Sequence, residues 1–168
     1  MIYVALLRAV NVGGLKLPMA DLRTLCSDAG FADVETYIAS GNVVFASKTT
    51  ASAVQADLEK RLLKYAGKPV GVVLRTAAQI QAVSRANPFP KAAPNFTYAI
   101  FLDAPPPKDA LAHVSGQTNE EMRLGQCEIY VHYPTGMGRS KLRIPAAKTG
   151  TARNVNTVAA LAEMAAKR

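Results

Sequence analysis

Tryptophan is absent, cysteine and histidine occur twice each, and aromatic residues make up only 7% of the 168 positions. Each scarcity excludes something. Cys26 and Cys127 are far apart and form no C-x-x-C, which argues against a disulfide framework or a structural zinc site and suits a reducing, cytoplasmic setting. Cys127 and His132 point apart along their strand, which further weakens a metal site; no metal and no cofactor are expected. The few Phe and Tyr residues form no RNP-like string of base-stacking rings. No apolar run approaches the ~20 residues of a membrane span, and Arg8 interrupts the apolar start MIYVALLRAV, which reads as a strand and not as a signal peptide. G-x-S-x-G, H-E-x-x-H, G-x-x-x-x-G-K-[ST] and a strand-borne G-x-G-x-x-G are all missing.

What is present is an ordinary globular composition, 49% hydrophobic and 19% charged, with a formal net charge of +8. That charge is uneven. From Thr135 onward seven basic residues face one acid, Glu163, so this tail carries +6 of the +8. A basic end segment attracts phosphorylated ligands or polyanions, although it also serves solubility alone.

The apolar periodicity alternates between strand and helix. Ile2–Leu7 reads as a strand, and Pro18 with Met19, Leu22, Leu25, Cys26 and Ala29 reads as a helix stopped by Gly30. DVETYIAS and NVVFAS read as strands joined tightly at Gly41–Asn42. Val54, Leu58, Leu62 and Tyr65 form the stripe of a second helix, and PVGVVLR is the next strand. This β-α-β-β-α-β order is that of a ferredoxin-like unit. After a short helix and the Pro-rich PFPKAAP, the second half reads β-α-β-β-α, a near copy without its closing strand. The expected fold is α+β: two ferredoxin-like units, residues 1–86 and 96–168, with antiparallel sheets and helices packed on one face of each.

Three polar clusters are candidates for a site. In a ferredoxin-like unit the end of the first strand and the β2–β3 turn share an edge, which groups Arg8, Asn11, Gly13, Gly14 and Lys16 with Ser40, Gly41 and Asn42. The second cluster follows the last predicted strand: His132, then Gly136, Gly138, Arg139, Ser140 and Lys141 in YPTGMGRSKL. The third is Lys148 and Arg153 before Asn154, Asn156 and Thr157, where a helix start would favour an anion. Each cluster also has a plain reading as a glycine turn, a solvated loop or a helix cap. Along CEIYVHY, Tyr130 and His132 share a face opposite Cys127, Ile129, Val131 and Tyr133.

Together LLRAVNVGGLKLPMADLRTL, TYIASGNVVF, YPTGMGRSKL and TARNVNTV resemble the bacterial domain-of-unknown-function family 1697. The resemblance implies a small cytosolic α+β protein and no assigned activity. Its blocks contain most of the three clusters, with His132 and Lys148 outside them, and Val155 stands where relatives often carry an aromatic residue. The function expected is binding of an anionic ligand, a phosphorylated small molecule or RNA, at a basic Gly-rich site. Two alternatives stay open: a small enzyme on a phosphate ester or acyl substrate, with His132 as acid/base and Ser140 as nucleophile, and a self-associating module forming a homodimer.

Overall fold

The computed structural model describes residues 1–12 and 14–168, so the candidate Gly13 lies outside the described residues. The chain forms two compact units, Met1–Ile80 with Leu161–Arg168, and Gln81–Ala160. Each holds one four-stranded antiparallel sheet, which makes the fold α+β.

Unit 1 runs β1 (Ile2–Leu7), α1 (Met19–Asp28), β2 (Ala32–Tyr37), β3 (Asn42–Ala46), α2 (Ala51–Ala66), β4 (Val72–Thr76) and the start of α3 (Ala77–Arg85). The strands lie in the order β2-β3-β1-β4. One sheet face, Tyr3, Ala5 and Leu7 of β1 with Val43 and Phe45 of β3, packs on Leu22 and Cys26 of α1 and on Val54, Leu58 and Leu62 of α2. Phe31 stacks on Phe45 with ring centroids 4.3 Å apart. Burial of each Val, Leu or Phe among them stabilises the fold by roughly 1.5–3 kcal/mol. Val4, Leu6 and Val44, on the opposite face, are also fully buried.

The helices begin and end where local chemistry directs. Thr50 Oγ1 accepts from Ala53 N at the start of α2, and Gly67, with φ +72°, ends it by donating to Leu63 O. Thr76 and Gln79 form a reciprocal capping box at the start of α3. Tyr65 departs from its expected place in the apolar stripe of α2: it is 41% exposed. Its hydroxyl donates to Asp21 Oδ2 at 2.7 Å.

Unit 2 contains β5 (Thr97–Phe101), β6 (Glu121–Leu124), β7 (Glu128–His132), β8 (Thr151–Asn154) and the first half of α4 (Val155–Ala166), with strand order β6-β7-β5-β8. The expected second-half order lacked a closing strand, and β8 corrects it. Two of its four residues, Thr151 and Arg153, are buried and polar, so no alternation marks it as a strand. Short 3₁₀ turns at Ala110–His113 and Pro145–Ala147 cover the face formed by Ile100, Met122, Ile129, Val131 and Tyr133. The other face is buried too: Ala99, Phe101 and Tyr130 are at most 2% exposed, and the Tyr130 hydroxyl donates to Val83 O at 2.8 Å.

Candidate functional site

In unit 1, β1 leaves the sheet through a backbone that twice enters the left-handed region, at Ala9 (φ +55°) and Asn11 (φ +57°). Asn is among the few non-glycine residues that adopt this conformation at modest cost. Its side chain then fastens the loop. Asn11 Nδ2 donates to Leu17 O at 2.8 Å and to Ala39 O at 2.7 Å, and Asn11 Oδ1 accepts from Leu17 N at 2.8 Å. The β1–α1 loop is thereby tied to the β2–β3 turn, and Leu7 N, donating to Gly41 O at 2.8 Å, makes a second tie. Asn11 works as a strut, with both ends of its amide in use.

The β2–β3 turn differs from the tight Gly41–Asn42 hairpin expected. It spans residues 38–41, with Ile38 at φ +47° and Gly41 at φ +86°. A β-carbon on Gly41 would meet Val10 Cγ2 at 2.6 Å and Leu7 Cβ at 2.9 Å, so glycine is required here both by conformation and by space. Asn42 belongs to β3 and is fully buried; its amide donates to Tyr37 O and to Ser40 Oγ. Arg8 is exposed at the end of β1, where its backbone N–H donates to Gly71 O at 2.9 Å.

Beside this tied edge lies a cleft of about 490 Å³, lined by Asn11, Gly14, Leu15, Lys16, Leu17, Pro18, Met19 and Ala39. Most of the lining is apolar. The rim carries charge: Lys16 is exposed, and the Lys68 ammonium lies 3.5 Å from where a β-carbon on Gly14 would stand. Among the described residues neither lysine forms an ion pair. The cleft also opens at the start of α1, whose N-cap residue, Pro18, offers no side-chain hydrogen bond. The first backbone N–H groups of α1 therefore face the cleft without a side-chain cap, although Asp21 in the first turn offsets part of the positive helix end. Val12 and Ile38, from the same loop and turn, are 72% and 53% exposed.

In unit 2, His132 lies opposite Thr97 on β5, and its Nδ1 is 3.1 Å from Thr97 Oγ1. Asn154 pairs with Tyr98 on the other side of β5, so His132 and Asn154 share one edge of the sheet. They are separated by two strand spacings, roughly 10 Å. Asn154 acts as the helix cap anticipated: its Oδ1 accepts from Thr157 N at 2.9 Å. Asn156 is exposed and Thr157 buried. Arg153 is a buried residue, 8% exposed, that donates to Ala152 O, and burial pulls its pKa down to about 10.

The loop after β7 is a 3₁₀ turn, Met137–Arg139, entered through Gly136 at φ +95°; Gly138, Arg139 and Lys141 are exposed on it. Ser140 fastens this loop. Its hydroxyl donates to Glu120 Oε2 and accepts from Leu142 N. The same carboxylate receives Thr118 N and Thr118 Oγ1. The Ser140 hydroxyl and the Thr118 backbone hold the Glu120 carboxyl down at about 2. A carboxylate so depressed is a poor proton acceptor, and the hydroxyl of Ser140 is committed to it. A nucleophilic serine needs an adjacent base, and this arrangement supplies a structural latch.

Several residues at these two places carry no local sequence signal. Lys68 follows a helix-ending glycine, Thr97 and Phe89 meet His132 only through sheet register and the Pro-rich segment, and Arg123 meets Phe89. His113 is exposed and paired with Asp109 at 3.0 Å. No group of three metal-ligating side chains occurs among the described residues, and no described helix is long and apolar enough to cross a membrane.

Compared with known proteins, residues 1–130 match the model of a family described as protein of unknown function (DUF1697). The blocks at 6–25 and 36–45 fall inside that span, and those at 133–142 and 151–158 fall beyond it. Among solved structures the chain is similar to the conserved bacterial protein SP0830 from Streptococcus pneumoniae, with a TM-score of 0.79 and 22% identity over 98% of each chain. At that identity the likeness is one of fold. No curated protein matches the chain.

Proposed function

We propose that the chain, which belongs to the DUF1697 family of proteins of unknown function, binds a small amphipathic anion in the cleft of unit 1. The observation that carries this reading is the composition of the cleft: apolar walls of Leu15, Leu17, Pro18, Met19 and Ala39, with lysines only at its edge. Lys16, Lys68 and the uncapped start of α1 hold the anionic end, a phosphate or carboxylate. The apolar body lies against the walls. Pockets of 300–1,000 Å³ are of the size that encloses small ligands, and at about 490 Å³ this one suits a single compact molecule.

A small molecule fits this reading better than RNA. A polymer needs an extended basic track and exposed rings for its bases. Tyr130, the ring best placed by alternation, is buried with its hydroxyl occupied.

The test is isothermal titration with phenyl phosphate, which pairs an apolar ring with a phosphate. Binding that weakens from 25 to 200 mM salt, and falls by about tenfold or more in a Lys16→Ala, Lys68→Ala double variant, agrees with the loss of charge-assisted hydrogen bonds. Equal affinity in the wild type and the double variant removes the lysines from the site and the proposal with them.

A further inference from the structure

The ring of His132 carries information that the cleft does not use. The Thr97 hydroxyl has a single proton, and it donates that proton to Ala93 O at 3.0 Å. Its contact with His132 Nδ1 at 3.1 Å must then be donated by the ring. In the neutral ring this arrangement puts the proton on Nδ1 and leaves the lone pair on Nε2. Thr97 is fully buried and cannot turn to water instead, whereas the histidine is half-exposed.

Three other side chains belong to the same neighbourhood of unit 2. The Phe89 ring lies with its centroid 6.3 Å from that of His132. The guanidinium of Arg123 sits 5.8 Å from the same Phe89 centroid and donates to Met122 O at 2.9 Å. On the β6–β7 ladder Arg123 pairs with Tyr130 and Glu121 with His132, so Arg123 is a diagonal neighbour of His132 on the same sheet face. Such neighbours lie about 7–8 Å apart. Glu121, directly opposite His132, is exposed and has no ion-pair partner among the described residues.

We propose that His132 and Arg123 form a second ligand site, on unit 2, for a small anion that brings its own O–H donor, as a hydrogen phosphate group does. The ligand hydroxyl donates to Nε2 and its anionic oxygens pair with the guanidinium. The combination is selective. Arg123 repels a cation, and the Nε2 lone pair offers nothing to a fully ionised oxyanion. Thr97 is the positioning residue, since it decides which nitrogen accepts. Glu121 opposes the anion and weakens it. The site shares no residue with the cleft of unit 1, so either can fail alone.

Nitrogen-15 NMR of the imidazole rings tests this directly, with a His113→Gln variant leaving one ring to observe. In neutral His132 the expected pattern is a protonated Nδ1 and an unprotonated Nε2. Inorganic phosphate at pH 7 should shift these signals saturably. Arg123→Met, which keeps the packing on Phe89, should weaken that response at least tenfold, and Glu121→Gln should tighten it about threefold. Thr97→Val should redistribute the proton between the two nitrogens. A wild-type ring protonated at Nε2 overturns the proposal. So does a phosphate response that is absent or indifferent to Arg123→Met, or one that Glu121→Gln weakens.

Discussion

Replacing Asn11 by alanine should cost far more than its exposed position suggests. The variant loses three side-chain hydrogen bonds, two donated to Leu17 O and Ala39 O and one accepted from Leu17 N. At ~1 kcal/mol net each these sum to about 3 kcal/mol. Alanine at φ +57° adds about 1 kcal/mol of left-handed strain. Water reaching the freed Ala39 carbonyl returns part of this, which leaves roughly 2–3 kcal/mol. Asn11→Gly separates the two terms: it loses the same hydrogen bonds without the strain, and should recover about 1 kcal/mol relative to alanine. Asn11→Asp keeps the acceptor and loses the donors, and should fall between wild type and alanine. Urea unfolding followed by circular dichroism measures all three, with the m-value checked because two units need not unfold together. A loss below about 0.5 kcal/mol for Asn11→Ala, or a glycine variant less stable than the alanine one, would refute the strut.

Gly41→Ala should cost about 2–4 kcal/mol, because the added carbon meets Val10 and Leu7 at φ +86°, and the same urea assay reads it. Glu120 should contribute to acid stability. Its folded pKa, about 2, lies below the ordinary glutamate value of 4.5, so its contribution is complete above the unfolded value and is lost as pH falls from there through about 2. Melting temperatures of Glu120→Gln should therefore start lower at pH 6 and decline less toward pH 2 than those of wild type; parallel declines would count against the Ser140–Glu120 latch. Cys26, buried with its thiol pushed up to about 12, should resist a thiol-reactive dye at pH 8 until urea unfolds unit 1. Prompt labelling of Cys26 in the native protein would show that the core between α1 and the sheet opens.

Much of the fold was legible because its cores obey simple periods. Leu22 and Cys26 in α1, and Val54, Leu58 and Leu62 in α2, repeat at helical spacing and meet one sheet face. Two kinds of feature were not legible. A period of two shows that Tyr130 faces away from Ile129 and Val131, but not that the second face is covered as well. Nor does hydropathy reveal β8, whose inward residues include a buried arginine and whose Asn154 gives a cap signal that masks the strand before it. The β2–β3 turn was misjudged for a related reason. Asn42 has the propensity of a turn residue but is held in β3, while Ile38, a β-branched residue, takes the left-handed conformation.

The candidate site divides in the same way. Proximity of the β1–α1 loop to the β2–β3 turn followed from strand order alone. The use of Asn11 as a strut, the Ser140–Glu120 latch and the approach of Lys68 to Gly14 depend on side-chain geometry that no spacing rule contains. Arg153 shows the limit most clearly. It reads as a surface cation in the sequence, and in the structure it is a buried residue with a depressed pKa.

The most direct measurement of the proposed ligand site is an amide proton–nitrogen NMR titration with phenyl phosphate. Saturable shifts should concentrate at Gly14–Leu17, Met19, Ala39 and Lys68, and should need about tenfold or more phenyl phosphate when Lys16 and Lys68 are both replaced by alanine. Shifts absent from that segment at saturating phenyl phosphate, or unchanged in the double variant, would contradict the proposed site.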